Sequence, residues 1–510
     1  MPRRLLIPCL VAALGAVAYL LVAPPSADLA AQEYRAELGL GVWNNGWYAG
    51  HHTPGYSVLF PPLAGALGVR SAGALAAVAA AALFAALAQR HWGATRGAAA
   101  AAVWFAAGTS AVLLTGRLTF LLGVAIGVGA LLALAHERRA PTAALAALTT
   151  LASPVAGLFV ALAAVAWALA DRRRRAVTGA AIALAALAPT AVLFVLFPQG
   201  GSEPFVASAF WPALAGALLV AALLPSAERT LRIAALLYTV ALAAAFAVAT
   251  PLGGNASRLG ALAAGPVVLG ALAGRRRPVL LAALALPLAY WPLYPAVRDV
   301  ARASGDPSLH AGYYAPLLEY LQSRPAQGGF RVEIPFTENH WEARHVAPRI
   351  ALARGWERQL DRRYGALFYD GRLDAARYRA WLDERAVAYV AVPDVALDYA
   401  GRDEARLIAG GLPYLREAWR DEHWRVLAVR EPKALAEGGA TARLGAGGAV
   451  RLRATRRGDV VVRVHHTRWW RVTAGRACVS AAPGGNTRVR VLVPGTVRLQ
   501  ARLTGTSCRR

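Results

Sequence analysis

Two kinds of hydrophobic patterning divide the chain near residue 297. Residues 1–296 consist of long apolar runs separated by short polar segments, whereas residues 297–510 carry most of the charge and resemble globular sequence. Several of the apolar runs exceed the roughly 18 residues that indicate a membrane-spanning helix. The pattern predicts a polytopic α-helical membrane domain at 1–296, followed by an α/β domain at 297–435 and a β-rich domain at 436–510.

The apolar runs predict about eleven membrane spans. Hydropathy places the apolar segments at about 5–23, 71–89, 97–115, 118–136, 142–170, 176–197, 207–224, 233–250, 259–273 and 278–296. The first segment has an alternative interpretation as a signal peptide, but its length favours an uncleaved helix. The count reaches eleven because the 142–170 block is expected to enter the membrane and return.

Arginine clusters orient these spans. The positive-inside rule assigns arginine-rich loops to the cytoplasm. The clusters are Arg3 and Arg4, Arg90 and Arg96, Arg138 and Arg139, residues 172–175, Arg229 and Arg232, and residues 275–277. All of these clusters lie on the same side of the membrane only if the 142–170 block enters the membrane and returns to the side from which it came. Ser153-Pro154 is the expected break in that block. That block spans about 43 Å as a helix, too little for two full crossings, so two short helices or a re-entrant hairpin are expected.

The arginine pattern predicts a cytoplasmic amino terminus and extracytoplasmic residues after 297, and the composition is typical of a membrane protein. The 510 residues are 57% hydrophobic and 16% charged, with a mean hydropathy of +0.40, above the usual range for soluble proteins. The formal net charge is +26, but the basic residues of the first 296 positions cluster at span ends. This distribution favours contact with membrane lipids and excludes a nucleic-acid partner.

Acidic residues are scarce in residues 1–296, and none lies in the middle of a predicted span. They are Asp28, Glu33, Glu37, Glu137, Asp171, Glu203 and Glu228. An ion-coupled transporter generally needs an ionisable or cation-binding group near the bilayer midplane. The distribution therefore disfavours an ion-coupled transporter, and a polytopic transporter or lipid flippase remains the alternative function.

The segment between the first two spans, residues 24–70, is the most distinctive part of the membrane half. Its polar and aromatic residues include Asp28, Glu33, Trp43, Trp47, Tyr48, His51, His52 and Tyr56. Long connections with such content commonly carry function, so we expect Trp47, Tyr48, His51, His52 and Tyr56 to form a substrate loop. The alternative for the aromatic residues is a belt at the lipid headgroups. Adjacent histidines point apart on a regular element, which makes them a poor metal-binding pair.

Residues 28–63 resemble the GT-C superfamily of integral membrane glycosyltransferases, which use polyprenyl-phosphate sugars. The shared pattern is an acidic residue just outside the first helix, an aromatic loop, and Gly-Tyr-Ser-x-Leu-x-Pro-Pro-Leu at 55–63. Residues 340–344 and 353–359 resemble uncharacterised actinobacterial membrane proteins of that type. The resemblance implies a polyprenyl-phosphate-linked sugar donor, a glycan or lipid acceptor in the cell envelope and, for many members, a divalent cation.

The chemistry of such a transfer assigns roles to a few residues. It needs a base for the acceptor hydroxyl and electrostatic stabilisation of the departing phosphate. Asp28 is the candidate base because it follows the first helix at the membrane surface, and Glu33, about 140° further round a helix, is a second catalytic candidate. Arg117 and Arg258 are predicted to face outward and are candidates for binding the donor phosphate, with Arg70 as a weaker third. The alternative for these arginines is snorkelling to the interface.

The extracytoplasmic residues predict an α/β module and then a β-sandwich. In the first part, strand signals at 330–335, 387–392 and 424–430 alternate with helix signals near 373–385 and 402–419. From about residue 440, short alternating runs separated by Gly and Pro occur at 450–453, 460–465 and 488–493. This order is typical of an α/β layer followed by a sandwich. Trp469 and Trp470 are expected in its core or docking surface, with sugar stacking as the alternative.

Cysteine placement agrees with this topology. Cys9 lies in the first apolar run, whereas Cys478 and Cys508 both lie in the β-rich region. An oxidising compartment permits a disulfide between the latter two, which would contribute roughly 3 kcal/mol. No Cys or His spacing identifies a metal site.

The favoured function is a membrane glycosyltransferase that moves a sugar from a polyprenyl-phosphate donor to a cell-envelope acceptor at the outer face of the plasma membrane. The alternatives are a polytopic transporter or lipid flippase, and a non-catalytic envelope scaffold on the same fold.

Overall fold

The computed structural model describes residues 3–272, 278–324 and 329–509. The chain forms two compact units: Met1–Gln32 with Gly55–Ala303, and Glu33–Pro54 with Ser304–Arg510. Residues 33–54 therefore pack with the carboxyl-terminal part, although they lie between two membrane helices in sequence. The arginine cluster at 275–277 lies outside the described residues.

The first unit is helical. Its helices are α1 (Arg3–Val22), α2 (Ala27–Leu38, which continues into the second unit), α3 (Phe60–Leu67), α4 (Val69–Trp92), α5 (Arg96–Leu114), α6 (Leu118–Ala135), α7 (Arg139–Ala152), α8 (Pro154–Ala170), α9 (Arg172–Leu196), α10 (Ala207–Leu223), α11 (Arg229–Ala247), α12 (Arg258–Leu272) and α13 (Pro278–Ala303).

Among the described residues, α4, α5, α6, α9 and α11 are long and apolar enough to cross a membrane. Residues Leu6–Val22 of α1 and helix α2 pass the same test together, bent by 82° at the break between them, and α8 and α10 are shorter apolar helices. The part of the chain that the structure describes thus has a membrane-type helical region with five or six such helices. The number of about eleven spans and the topology remain predictions.

The break predicted at Ser153-Pro154 is present. Helix α7 ends at Ala152 and α8 begins at Pro154. The extended backbone of Ser153 separates them, and its hydroxyl accepts a hydrogen bond from the Ala156 amide at 3.4 Å. Pro154 suits the first helical position because the missing N–H would have no partner there. The 142–170 block therefore forms two short helices.

The second unit begins with residues 33–54, which hold two short strands, β1 (Trp43–Asn44) and β2 (His51–His52). They pair antiparallel, with Trp43 opposite His52. The segment packs into the core of this unit, where Trp43 joins the buried residues of the carboxyl-terminal strands.

An α/β layer follows. Its elements are α14 (Ala311–Gln322), β3 (Arg331–Glu333), α15 (Glu342–His345), α16 (Arg358–Tyr364), α17 (Ala375–Glu384), β4 (Val387–Pro393), α18 (Tyr399–Ala409), β5 (Leu415–Arg420) and β6 (Trp424–Val429). The sheet has the order β3-β4-β6-β5, with β3 parallel to β4 and the other pairs antiparallel. The helix predicted over 402–419 is wrong in its second half. Gly410 and Gly411 end α18, and residues 415–420 pair with β6 instead.

The remaining strands form two facing sheets around one core. They are β7 (Ala436–Glu437), β8 (Ala440–Leu444), β9 (Val450–Ala454), β10 (Gly458–His465), β11 (Trp470–Ala474), β12 (Ala477–Ala481), β13 (Asn486–Val491), β14 (Gly495–Ala501) and β15 (Cys508–Arg509). The sheet orders are β15-β12-β13-β10-β7 and β11-β14-β9-β8. Alternate residues such as Val460, Val462, Leu452 and Leu499 fill the shared core, as in a β-sandwich. The predicted Cys478–Cys508 disulfide is present and joins β12 to β15.

Candidate functional site

Asp28 lies in the first turn of α2, immediately after the chain leaves α1. Ala23 adopts a positive φ of 46°, and Pro24 and Pro25 follow, so the first helix cannot continue. A carboxylate in the first turn of a helix interacts favourably with the unpaired backbone N–H groups there. The Asp28 side chain is 33% exposed, which leaves it open to a reactant.

The turn between α5 and α6 brings Arg117 to Asp28. Gly116 has a φ of +70°, and a Cβ at this position would overlap Ser26 and the start of α2 at Leu29. Glycine therefore lets the turn lie directly against the beginning of α2. Arg117 Nε donates to Asp28 Oδ2 at 3.1 Å, and the arginine side chain is 26% exposed.

Arg258, the first residue of α12, completes a charged cluster in the first unit. Its guanidinium carbon lies 5.5 Å from the centroid of the Phe120 ring, and it interacts electrostatically with Arg117 and Asp28. Tyr56 and Glu203 interact with the same guanidinium. Three separate elements thus place one carboxylate and two arginines together, and the two arginines are those predicted from their outward positions.

The structure adds Gln32 and Thr119, which the sequence interpretation missed. Gln32 is buried; its Nε2 donates to the Tyr56 hydroxyl at 2.7 Å, and its Oε1 accepts from the Thr119 hydroxyl. Gln32 lies four residues after Asp28 on α2, so both side chains share a face of that helix. The four-residue spacing from Asp28 could therefore have identified Gln32 from the sequence. Glu33, one residue further, does not share that face.

Arg70 supports the chain rather than extending the cluster. Its Nη1 donates to the Pro24 carbonyl at 2.8 Å, and its guanidinium carbon lies 5.6 Å from the ring centroid of Tyr19. Both contacts hold the carboxyl end of α1. Arg70 therefore has a structural explanation that needs no phosphate.

Glu33, the second catalytic candidate, belongs to the second unit and is engaged there. Arg344 contacts Glu33 Oε2 through Nε at 3.3 Å and Glu37 Oε1 through Nη2 at 2.8 Å. Arg35, between the two acids, forms an ion pair with Glu357. These pairs attach the second half of α2 to residues 340–344 and 353–359, the two stretches without an assigned activity.

Trp47, Tyr48 and His51, proposed for the substrate loop, are buried in the second unit. Trp47 Nε1 donates to the Ala343 carbonyl at 3.3 Å, and the Tyr48 hydroxyl donates to the Gly355 carbonyl. Burial raises the pKa of Tyr48 well above its ordinary value and lowers the pKa of His51. These side chains anchor the segment and do not form an open surface, whereas the half-exposed Tyr56 lies in the first unit.

His51 and His52 point apart, as expected for neighbours on a strand. The His51 ring stacks on Trp47 with centroids 5.7 Å apart, and His52 Nε2 lies 2.9 Å from the Thr467 hydroxyl. Burial, with the positive charge of Arg468, lowers the pKa of His52 to about 4. Within residues 3–272, 278–324 and 329–509, no group of three or more His, Cys, Asp or Glu side chains is arranged to hold a metal ion.

The 353–359 stretch also builds the interior of the second unit. The buried Arg354 lies between the rings of Phe336 and Phe368, at 3.8 and 4.0 Å from their centroids. It pairs with Asp361 at 2.6 Å and Glu404 at 3.2 Å, and burial raises the pKa of Glu404 to about 7. This network gives Arg354 a structural role in the stretch.

The two tryptophans of the sandwich have different environments. Trp470 is buried in the core, and its Nε1 donates to the Thr487 hydroxyl at 3.1 Å. Trp469 is half-buried, with the guanidinium carbons of Arg468 and Arg471 at 5.5 and 5.8 Å from its ring. Trp470 therefore has a core role, and the two rings do not form a joint stacking surface.

No family model matches the chain, and no curated protein matches it in sequence. In structure the chain is similar to an oligosaccharyltransferase from Archaeoglobus fulgidus, solved as a complex with Zn and sulfate. The sequence identity is 16%, the TM-score is 0.35, and the match covers 76% of this chain and 68% of that chain.

Proposed function

We propose that this protein is a membrane glycosyltransferase that transfers a sugar from a polyprenyl-phosphate donor to a cell-envelope acceptor at the outer face of the bacterial plasma membrane. The single observation that carries the proposal is the cluster of Asp28, Arg117 and Arg258. The resemblance of residues 28–63 to the GT-C superfamily supports the same chemistry.

In the proposed reaction, an acceptor hydroxyl oxygen attacks the anomeric carbon of the sugar. The bond between that carbon and the phosphate oxygen breaks, and polyprenyl phosphate leaves with the electron pair. Asp28 takes the hydroxyl proton, which is the role of a general base. Each proton and electron pair is therefore accounted for without a further reactant.

Arg117 and Arg258 provide the electrostatic part. Negative charge grows on the phosphate as it departs, and preorganised guanidinium groups stabilise such charge more than water does. Arg117 donates one N–H to Asp28 in the structure, and an arginine has five N–H donors. The same side chain can therefore orient the base and contact phosphate.

An apolar cavity in the first unit weakens the alternative of a transporter for polar solutes. Its volume is about 760 Å³, and its walls consist mainly of Ala, Leu, Val and Phe side chains. A path for a polar solute needs hydrogen-bonding groups along its length, since unpaired polar groups are costly in an apolar environment. The cavity is better suited to hydrocarbon.

Asp28→Asn is the direct test. The amide still accepts a hydrogen bond from Arg117 but is not a useful base, so sugar transfer in isolated membranes should fall by about 10²- to 10⁴-fold. The measurement is the transfer of labelled sugar from a polyprenyl-phosphate donor to membrane glycans, with protein amount and thermal unfolding recorded in parallel.

Glu37→Gln is the matched control, because Glu37 pairs with Arg344 in the second unit and is not a catalytic candidate, so this variant should retain transfer. Glu33→Gln tests the second catalytic candidate. Unchanged turnover in Asp28→Asn removes this residue from the chemistry, and loss of transfer only in Glu33→Gln assigns the base to Glu33. A comparison of envelope glycans in a deletion strain and its parent identifies the sugar and acceptor.

A further inference from the structure

Several helices line the cavity in the first unit. Its lining residues come mainly from α4, α6, α8, α11 and α12, and they include Phe84, Val124, Leu131, Ala163 and Ala263. A volume of about 760 Å³ lies within the range of ligand sites. Apolar cavities do not hold water well, so hydrocarbon is the occupant that suits these walls.

One end of the cavity is charged. The residues there are Arg90, His91, Asp171, Arg175, Glu228 and Arg229. Glu228 already accepts hydrogen bonds from Trp92 Nε1 at 3.0 Å and contacts His91 Nε2 at 2.8 Å. Arg175 lies over the Trp167 ring, 5.0 Å from its centroid. These residues belong to the arginine-rich ends that the positive-inside rule assigns to the cytoplasm.

A second, open hollow adjoins this end. It is lined by Leu169, Ala170, Asp171, Arg172, Arg173, Arg229 and Ile233. It shares Ala170, Asp171 and Arg229 with the apolar cavity, so the two lie next to each other. Three arginines face one aspartate in this hollow, which leaves it positively charged.

The cavity approaches the candidate catalytic cluster at Phe120. Phe120 lines the cavity, and its ring also contacts the guanidinium of Arg258. Asp28, Arg117 and Arg258 do not line the cavity. The charged hollow and the catalytic cluster are therefore separate places in the first unit.

We propose that this cavity and hollow together bind an anionic phospholipid of the cytoplasmic leaflet. One hydrocarbon chain occupies the apolar cavity, and the phosphate lies in the hollow against Arg172, Arg173 and Arg229. Guanidinium groups bind phosphate through paired N–H donors, and basic pockets between membrane helices favour anionic headgroups. This lipid is distinct from the sugar donor, and the inference does not depend on the transferase activity.

The test measures bound lipid rather than activity. The full chain is purified in mild detergent, and its retained lipids are identified and counted by native mass spectrometry. It is then placed in nanodiscs that contain either phosphatidylglycerol or phosphatidylcholine. We expect the purified protein to retain anionic phospholipid. It should also take up phosphatidylglycerol from nanodiscs at least roughly tenfold more favourably than phosphatidylcholine.

Two sets of variants locate the lipid. The triple variant Arg172→Gln, Arg173→Gln, Arg229→Gln should lower retention at least roughly tenfold, because each arginine near an anionic headgroup contributes to affinity. Its charge-matched control is Arg96→Gln, Arg138→Gln, Arg139→Gln, three exposed arginines outside both linings. The cavity-filling variant Ala163→Trp, Ala263→Trp should also lower retention, and Val240→Trp, on the exposed face of α11, should not.

Several outcomes overturn the proposal. Retention of polyprenyl phosphate in place of phospholipid assigns the cavity to the donor chain, and equal retention of phosphatidylcholine removes the role of the arginines. If the triple variant of the hollow and the control triple variant lose equal amounts of lipid, the binding depends on nonspecific surface charge. The cavity-filling variant could lose lipid because its helices unfold at a lower temperature. In that case the triple arginine variant decides, because its substitutions leave the helix packing unchanged.

Discussion

Gly355 lies directly against the indole ring of Trp47, so that a Cβ at Gly355 would overlap the ring at Cγ. The two residues are far apart in sequence, and Trp47 belongs to the segment that connects the first membrane helices. The contact explains why glycine stands inside the 353–359 stretch. It also shows how residues 33–54 become part of the second unit.

Gly355→Ala should destabilise the second unit by about 1–3 kcal/mol, because the added methyl group cannot fit without moving Trp47. The check is the thermal unfolding midpoint of the full chain together with protease resistance of residues 33–54. Gly312→Ala is the matched control, since no atom lies within 4 Å of a Cβ at that position. The contact is unimportant if both variants unfold at the same temperature.

Arg117→Gln and Arg258→Gln should each reduce sugar transfer by about 10²- to 10³-fold, since each removes a charge that stabilises the departing phosphate. Arg70→Gln should transfer sugar at nearly the normal rate, because Arg70 contacts the end of α1. Rates measured at saturating and limiting donor separate binding from chemistry. Equal losses in all three variants would contradict a specific role for Arg117 and Arg258.

The second unit should lose stability as the pH falls below about 6.5. Burial lowers the pKa of His52 to about 4 and, with Arg385 nearby, that of His465 to about 3, so the unfolded chain binds protons that the folded chain does not. This contribution to the free energy of unfolding is fully present above the pKa of about 6.5 that histidine has in the unfolded chain. Protonation of each of the two histidines lowers the free energy of unfolding by roughly 2 kcal/mol between pH 7 and pH 5.

The variant that isolates this effect is His52→Gln, whose amide can still contact Thr467. The pH dependence of its unfolding temperature should be shallower than that of the wild type. His310→Gln, at an exposed position, should keep the wild-type dependence. Identical pH profiles for all three proteins would rule out His52 as a source of acid sensitivity.

A reporter enzyme fused after residue 303, where α13 ends, should be active only outside the cell. The same reporter placed at the arginines that begin α9 should be active only inside, because positive loops stay in the cytoplasm. The two fusions test the predicted count of about eleven spans. A cytoplasmic signal after residue 303 overturns that count.

Local features of the sequence determined much of the first unit. Apolar length, arginine clusters and the Ser153-Pro154 pair are properties of short segments, so they predicted a membrane-type helical region and the break between α7 and α8. The position of Asp28 after the first helix is equally local. The cysteine pair was predictable because the other cysteine lies in a membrane helix, which left Cys478 and Cys508 to join.

Only the tertiary structure decided which residues meet. Hydropathy assigned Trp47, Tyr48 and His51 to a loop, but their burial depends on partners near residues 343 and 355 that pack around them. In the same way, Arg117 reaches Asp28 because Gly116 allows a close approach between two helix ends. Such contacts depend on the complementary shape of distant segments, and a pattern that extends over neighbouring residues carries no information about that shape.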